Sequence, residues 1–173
     1  MLKFLKRKQI IQFILFLGAN VSSTVTAGKP IEIPVDPAFL RINTKQNTIF
    51  YEVEIAFSET QASAGLMYRT HFPRNRAMLF KNFLGSIAED KQKMFMWMAH
   101  TPLPLDILFL NSKGVIVSII ENNLPFSKNI ISSKVPAAFA IELNAGEVID
   151  KKIKQGQCVM HPIIYEKCER SET

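Results

Sequence analysis

Between Thr48 and Phe57 the chain alternates. Ile49, Tyr51, Val53, Ile55 and Phe57 fall on one side, and Thr48, Glu52 and Glu54 on the other, with Phe50 out of phase. A period of two is that of a half-buried strand, because successive side chains point to opposite faces. Ser58-Glu59-Thr60-Gln61 then has the form of a capping box and predicts a short helix ending near Gly65. Short runs rich in β-branched, aromatic or methionine side chains predict strands at Ala77–Phe83, Lys93–His100, Leu105–Leu110 and Val115–Glu121. Asn111-Ser112-Lys113-Gly114 joins the last two with the polar, glycine-ended character of a hairpin loop. Alternation returns at Ala137–Leu143, where Phe139, Ile141 and Leu143 share a face. Asn144-Ala145-Gly146-Glu147 has the look of a second cap and predicts a helix of about two turns. Gly156–Met160 supplies a last strand. Short strands with only two brief helices predict a mainly β domain, a small closed barrel or sandwich.

The first 27 residues follow another pattern. Lys3, Lys6, Arg7 and Lys8 open the chain, an apolar run from Ile10 to Leu17 is broken only by Gln12, and Val25-Thr26-Ala27 ends in small residues. Basic, apolar, small is the order of a secretory signal. The apolar part falls well short of the roughly 20 residues that a permanent membrane helix needs. The expectation is therefore export to the periplasm or beyond, with cleavage after Ala27. The alternative is an uncleaved anchor in the inner membrane.

Composition changes meaning once that segment is set apart. The whole chain of 173 residues carries 21 Lys+Arg against 15 Asp+Glu, a net of +6. Removing the four basic residues of the leader leaves 17 against 15, or +2. A nearly neutral domain without a basic stripe is no footprint for nucleic acid. The leader touches membrane only before cleavage, and the expected partner is a small ligand or an envelope component. The expected division is leader 1–27, proline-punctuated lead-in 28–47, β domain 48–161 and tail 162–173. Cys158 and Cys168 are the only cysteines, and export would permit them to pair as a clamp on the tail.

Three stretches resemble the signature blocks of the family known as domain of unknown function 192. They are Gly65-Leu66-Met67-Tyr68-Arg69, Ala77-Met78-Leu79-Phe80, and Trp97-Met98 leading to Pro104-Leu105-Asp106-Ile107-Leu108-Phe109. The resemblance covers roughly Phe50 to Met160 and implies a small β-rich domain of barrel or sandwich type, often exported in bacteria, with no established activity; no cofactor is expected. The family usually has Lys-Asn or Arg-Asn between the Trp-Met pair and the following threonine, where this chain has Ala99-His100.

The residues themselves nominate few chemical roles. Asp106 lies in an otherwise apolar strand, so its carboxylate must be hydrogen-bonded or paired. Arg69 is the expected partner, since a guanidinium can grip a carboxylate with two hydrogen bonds. Either that pair, or Asp106 on backbone amides, pins the fold. The competing reading makes Asp106 the acid or base of an envelope-acting enzyme. Trp97, the sole tryptophan, is either core or the floor of a pocket. Arg69, Trp97, His100 and Asp106 thus form the candidate ligand surface.

Met94, Met96, Met98 and His100 alternate, and on one strand would share a face. Soft thioethers beside an imidazole suit Cu(I). Residues two apart on a strand are about 6.6 Å apart, so Met98 and His100 would need a third ligand from elsewhere. Methionine as core filler is the alternative. His71 and His161 belong to no ligand motif and are expected at loops or strand ends, while Glu52 and Glu54 are expected to solvate an outer face. The chain has no nucleophile elbow and no phosphate-cradling glycine loop.

Overall fold

Tyr51, Val53 and Ile55, in phase along β2 (Thr48–Ala56), are buried, as the alternation requires. The computed structural model describes residues 28–82 and 92–164. Ser58 caps α1 (Glu59–Ala64): its side chain accepts from the Gln61 amide, while the Gln61 side chain accepts from the Ser58 amide. Gly65 ends the helix at φ 47°, in the region that costs a side chain strain. The remaining strands are β1 (Leu40–Asn43), β3 (Arg76–Lys81), β4 (Lys93–Met96), β5 (Leu105–Leu110), β6 (Ile116–Asn123), β7 (Ile131–Pro136), β8 (Phe139–Asn144) and β9 (Cys158–Met160), with α2 at Glu147–Asp150. Two of these strands, β1 and β7, have no counterpart among the predicted elements. β1 falls inside the expected lead-in, so the sheet begins before residue 48.

Seven strands form one sheet in the order β6-β5-β8-β3-β2-β1-β9, and β4 pairs with β7 in a separate ribbon. All neighbours are antiparallel except β2 and β3. The large sheet curls until its ends meet, because Val159 donates to the Gly114 carbonyl and Ile116 donates to that of Gln157. Inside the curl lies one core, with Tyr51, Val53, Leu79, Leu108, Ile141 and Val159 among its members. A second core covers the outer face, where Met78, Phe80, Ile107 and Phe109 meet Leu66, Met94 and Met98. Every residue of β5 is buried, which is the mark of a strand covered on both faces. Among the described residues no helix is long and apolar enough to cross a membrane.

Two-sided cover revises several expectations. Glu54 does not solvate an outer face; it is 2% exposed, beneath the second core. The strand expected at 93–100 stops at Met96, and Thr101 donates to the Met98 carbonyl to close a turn. Asn144 does not cap α2. Its side chain donates to the carbonyls of Phe72 and Pro73, and the N-cap position is Gly146, which has no side chain to offer.

Asp106 supplies that cap from another element. One carboxylate oxygen accepts from the Val148 amide at 3.0 Å, at the start of α2, and the other from the Asn122 amide at 2.9 Å. Asn122 lies where β6 carries an extra residue against β5, so its N–H is out of the ladder. Arg69 is not the partner expected for Asp106, because it lies against Glu54. We expect Asp106→Ala to lower stability by about 3 kcal/mol, since two inward amides lose a charged acceptor. Exposed Glu121→Ala should stay within about 0.5 kcal/mol. Urea unfolding of both variants measures this, and equal midpoints would refute the tie.

Candidate functional site

The outer face carries a row of paired residues across four strands. Glu54 on β2 lies opposite Met78 on β3, Met78 opposite Glu142 on β8, and Glu142 opposite Ile107 on β5. Directly paired residues share a face, so both glutamates point into the layer of the second core. Their settings differ. The Arg69 guanidinium meets Glu54 at 2.7 and 3.0 Å and donates to the Ile31 carbonyl at 2.8 Å. Arg76 adds a 3.7 Å contact to Glu54 and holds Glu52 at 2.6 Å.

Glu142 is 4% exposed, and its Oε2 is buried without a hydrogen-bond partner among the described residues. Burial pushes its carboxyl up to about 8, and the nearby Arg69 charge offsets only part of that. At neutral pH the group is mainly the neutral acid. It lines a cleft of about 40 Å³. Phe80 lies beside it, the Ala62–Met67 turn forms one wall, and Phe95, Met96 and Trp97 at the end of β4 form another, with Thr101 between. Trp97 is 44% exposed and so is a wall of the cleft rather than part of the core.

Gly65 sets the wall close to the acid. A β-carbon there would lie 3.4 Å from Phe80 and 3.7 Å from Glu142 Oε2, and the positive φ would strain any side chain. Local sequence, a capping box followed by glycine, thus brings the end of α1 over the buried carboxyl.

The four residues nominated from sequence do not converge. Trp97 lines the cleft, and Arg69 acts on Glu142 through space from its place on Glu54. His100 stacks on Tyr68 with ring centroids 5.1 Å apart, at an exposed turn where its carbonyl accepts from the Tyr68 amide. Asp106 is fully buried against α2, with both oxygens used, and offers a substrate no surface. The acid–base role considered for it is therefore corrected.

The soft-metal arrangement is corrected too, because β4 ends before the alternation is complete: Met98 is sealed in the second core while His100 faces outward. Among the described residues no group of three His, Cys, Asp or Glu side chains is placed to hold a metal. Cys158 is disulfide-bonded. Cys168, like the leader and its Ala27 cleavage point, lies outside the described residues. Glu142 was missed because the alternation of Phe139, Ile141 and Leu143 makes its own face look solvated. The signal was its place mid-strand beside Ala140, and it can be used only once the cover over that face is known.

The fold and cleft define a class: a small curled β-sheet domain with an acid-floored cleft between a helix end and an added ribbon. The chain belongs to the uncharacterised family known as domain of unknown function 192, whose model matches residues 38–161. No curated protein matches it. A protein of Sinorhizobium meliloti 1021, named as a candidate transcription regulator, is similar at 35% identity and a TM-score of 0.67, over 75% of this chain and 96% of that one. A protein of unknown function from Novosphingobium aromaticivorans DSM 12444 shares the fold at 23% identity and a TM-score of 0.66, over 80% of this chain and 99% of that one.

Glu142 gives stability a particular pH dependence. The unfolded chain releases this proton near 4.5 and the folded state holds it up to about 8, so the folded state binds more protons between those values. The contribution is present at the acid end and falls as pH rises through about 8. Glu142→Gln should flatten that decline in urea midpoints from about pH 5 to about pH 8. An unchanged slope would remove the assignment.

Proposed function

We infer that the protein is an exported binding or accessory protein of the bacterial cell envelope and that its ligand site is the cleft between Glu142 and Trp97. The carrying observation is a buried carboxyl oxygen, Glu142 Oε2, without a hydrogen-bond partner among the described residues, on a group that lines a cleft with aromatic walls. A buried polar group left unanswered costs stability, on the order of 1–3 kcal/mol. A ligand that supplies the missing hydrogen bond recovers that cost on binding. The neutral acid offers both a donor and an acceptor, while Trp97, Phe95 and Phe80 supply apolar area.

Binding is favoured over catalysis because Glu142 is the one ionisable side chain lining the cleft among the described residues. Acid–base turnover ordinarily needs a second group placed across the substrate. The envelope assignment rests on the order of the first 27 residues: a basic start, a short apolar run and Val25-Thr26-Ala27.

Two experiments test the two halves. The N-terminus of protein recovered from a periplasmic fraction should begin at Gly28; a retained Met1 would end the cleaved-export reading. A thermal-shift panel of neutral sugars, alcohols, amides and amines should contain a compound that stabilises the wild type. At a hundred times its Kd such a compound adds about 2.7 kcal/mol, and the shift should vanish in Glu142→Leu, which offers neither donor nor acceptor. A panel in which no compound stabilises the protein would sink the binding reading.

A further inference from the structure

The cleft has a chemical bias beyond being a place to bind. Its lining holds a carboxyl, three aromatic side chains and the carbonyl end of α1, and none of its lining residues is Lys, Arg or His. Arg69 is the cation whose charge acts on Glu142, but both of its terminal nitrogens are engaged by Glu54 and the Ile31 carbonyl. The fold therefore brings a guanidinium near the acid without letting it serve as the acid's counter-ion. An anion entering here would meet a carboxyl and aromatic side chains and no cationic side chain of the lining. A neutral guest could hydrogen-bond the acid but would gain little from the quadrupoles of Trp97, Phe95 and Phe80, whose faces attract cations.

Resting on the binding reading above, we propose that the cleft takes the head of a primary or secondary alkylammonium, with the Glu142 carboxylate as its counter-ion and Trp97 as the aromatic wall beside it. The unpartnered Oε2 needs a donor, which selects an N–H-bearing cation over a quaternary one. The ammonium head lies against Glu142, and the alkyl chain leaves past the half-exposed Trp97. The proton count follows. Glu142 holds its proton when the cleft is empty, since burial has raised its pKa to about 8. The incoming cation takes the place of that proton, and one proton passes to solvent for each ligand bound.

The test is calorimetric titration of the intact protein with n-butylammonium, n-butanol and tetramethylammonium, each in buffers of different ionisation enthalpy. Saturable binding of n-butylammonium is expected, with about one proton released and an affinity rising about tenfold per pH unit until it levels near pH 8. Tetramethylammonium and n-butanol should bind at least tenfold more weakly. Glu142→Gln should lose at least tenfold. Trp97→Ala, which alters only a half-exposed wall, should also lose affinity with its fold intact.

Equal and pH-independent binding of n-butanol would overturn the ammonium class and leave the binding reading standing. If n-butylammonium fails to bind while some other compound gives a Glu142-dependent thermal shift, the class falls alone; if nothing binds, both fall. Nα-acetyl-lysine amide separates two sources of the same head group. Binding tighter than that of n-butylammonium assigns the site to a lysine side chain, and weaker binding assigns it to a free amine; either result supports the ammonium class.

Discussion

A carboxyl on a strand covered on both faces must be met by donors or stay neutral, because an isolated buried charge is too costly to keep. Three carboxyls on strands, and one at the start of α2, face this constraint here. Asp106 is met by two backbone amides from β6 and α2. Glu54 is met by Arg69 and Arg76. Glu147, at the start of α2, is met by the Tyr51 hydroxyl at 2.9 Å and by Arg74 and Lys151 at 2.6 Å. Glu142 Oε2 has no hydrogen-bond partner among the described residues, and Arg69 acts on the group only through space. The first three tie distant segments together: β5 to α2, the loop after α1 to β2, and β2 to α2. The fourth ties nothing, and that sets it apart.

Two cores make this constraint severe. With one face of the sheet in water, Glu54 and Glu142 would be solvated and their positions uninformative. The outer face is instead closed by α1 with the turn after it and by the β4–β7 ribbon, which brings Met94 and Met98 down onto Met78, Phe80 and Ile107. The methionines so act as adaptable packing between a ribbon and a sheet that share no strand pairing among the described residues. The same cover leaves a gap where the end of α1 and the end of β4 approach without meeting. The cleft is that gap, and Glu142 lies under it.

Much of the fold was legible from local rules. The alternation of β2, the Ser58 box and the Asn111–Gly114 turn each depend on residues within a few positions of one another, and each forms where the sequence puts it. Features set by distant chain were not legible. β1, four residues long, owes its state to pairing with β2 and β9. The cap of α2 comes from Asp106, 42 residues before the amide it receives, so Asn144 looked like the cap and was not. Arg69 was rightly seen as a residue needing a carboxylate, but strand order, which decides which carboxylate, cannot be read from a single sequence. Glu142 was hidden for the same reason: its face is polar by periodicity and buried by tertiary cover.

The unequal treatment of Glu54 and Glu142 is the main support for reading the latter as a ligand contact. The two lie on one row, separated only by Met78, about two strand spacings or roughly 9.6 Å. Arg69 acts on both, yet its hydrogen bonds go to Glu54 and the Ile31 carbonyl, which fixes the guanidinium from two sides, and Glu142 Oε2 has no hydrogen-bond partner among the described residues. A glutamine or an apolar residue at 142 would relieve the strand of an acid it does not use for folding. Replacing a buried ionisable group by a well-packed apolar one is often neutral or stabilising. Sequence locality reinforces the point from the other wall. The Ser58 box fixes where α1 begins, Gly65 fixes where it ends, and that end comes down over Glu142 with no side chain between them. A wall placed by local rules and a floor placed by the sheet thus meet around one carboxyl oxygen that no described residue hydrogen-bonds.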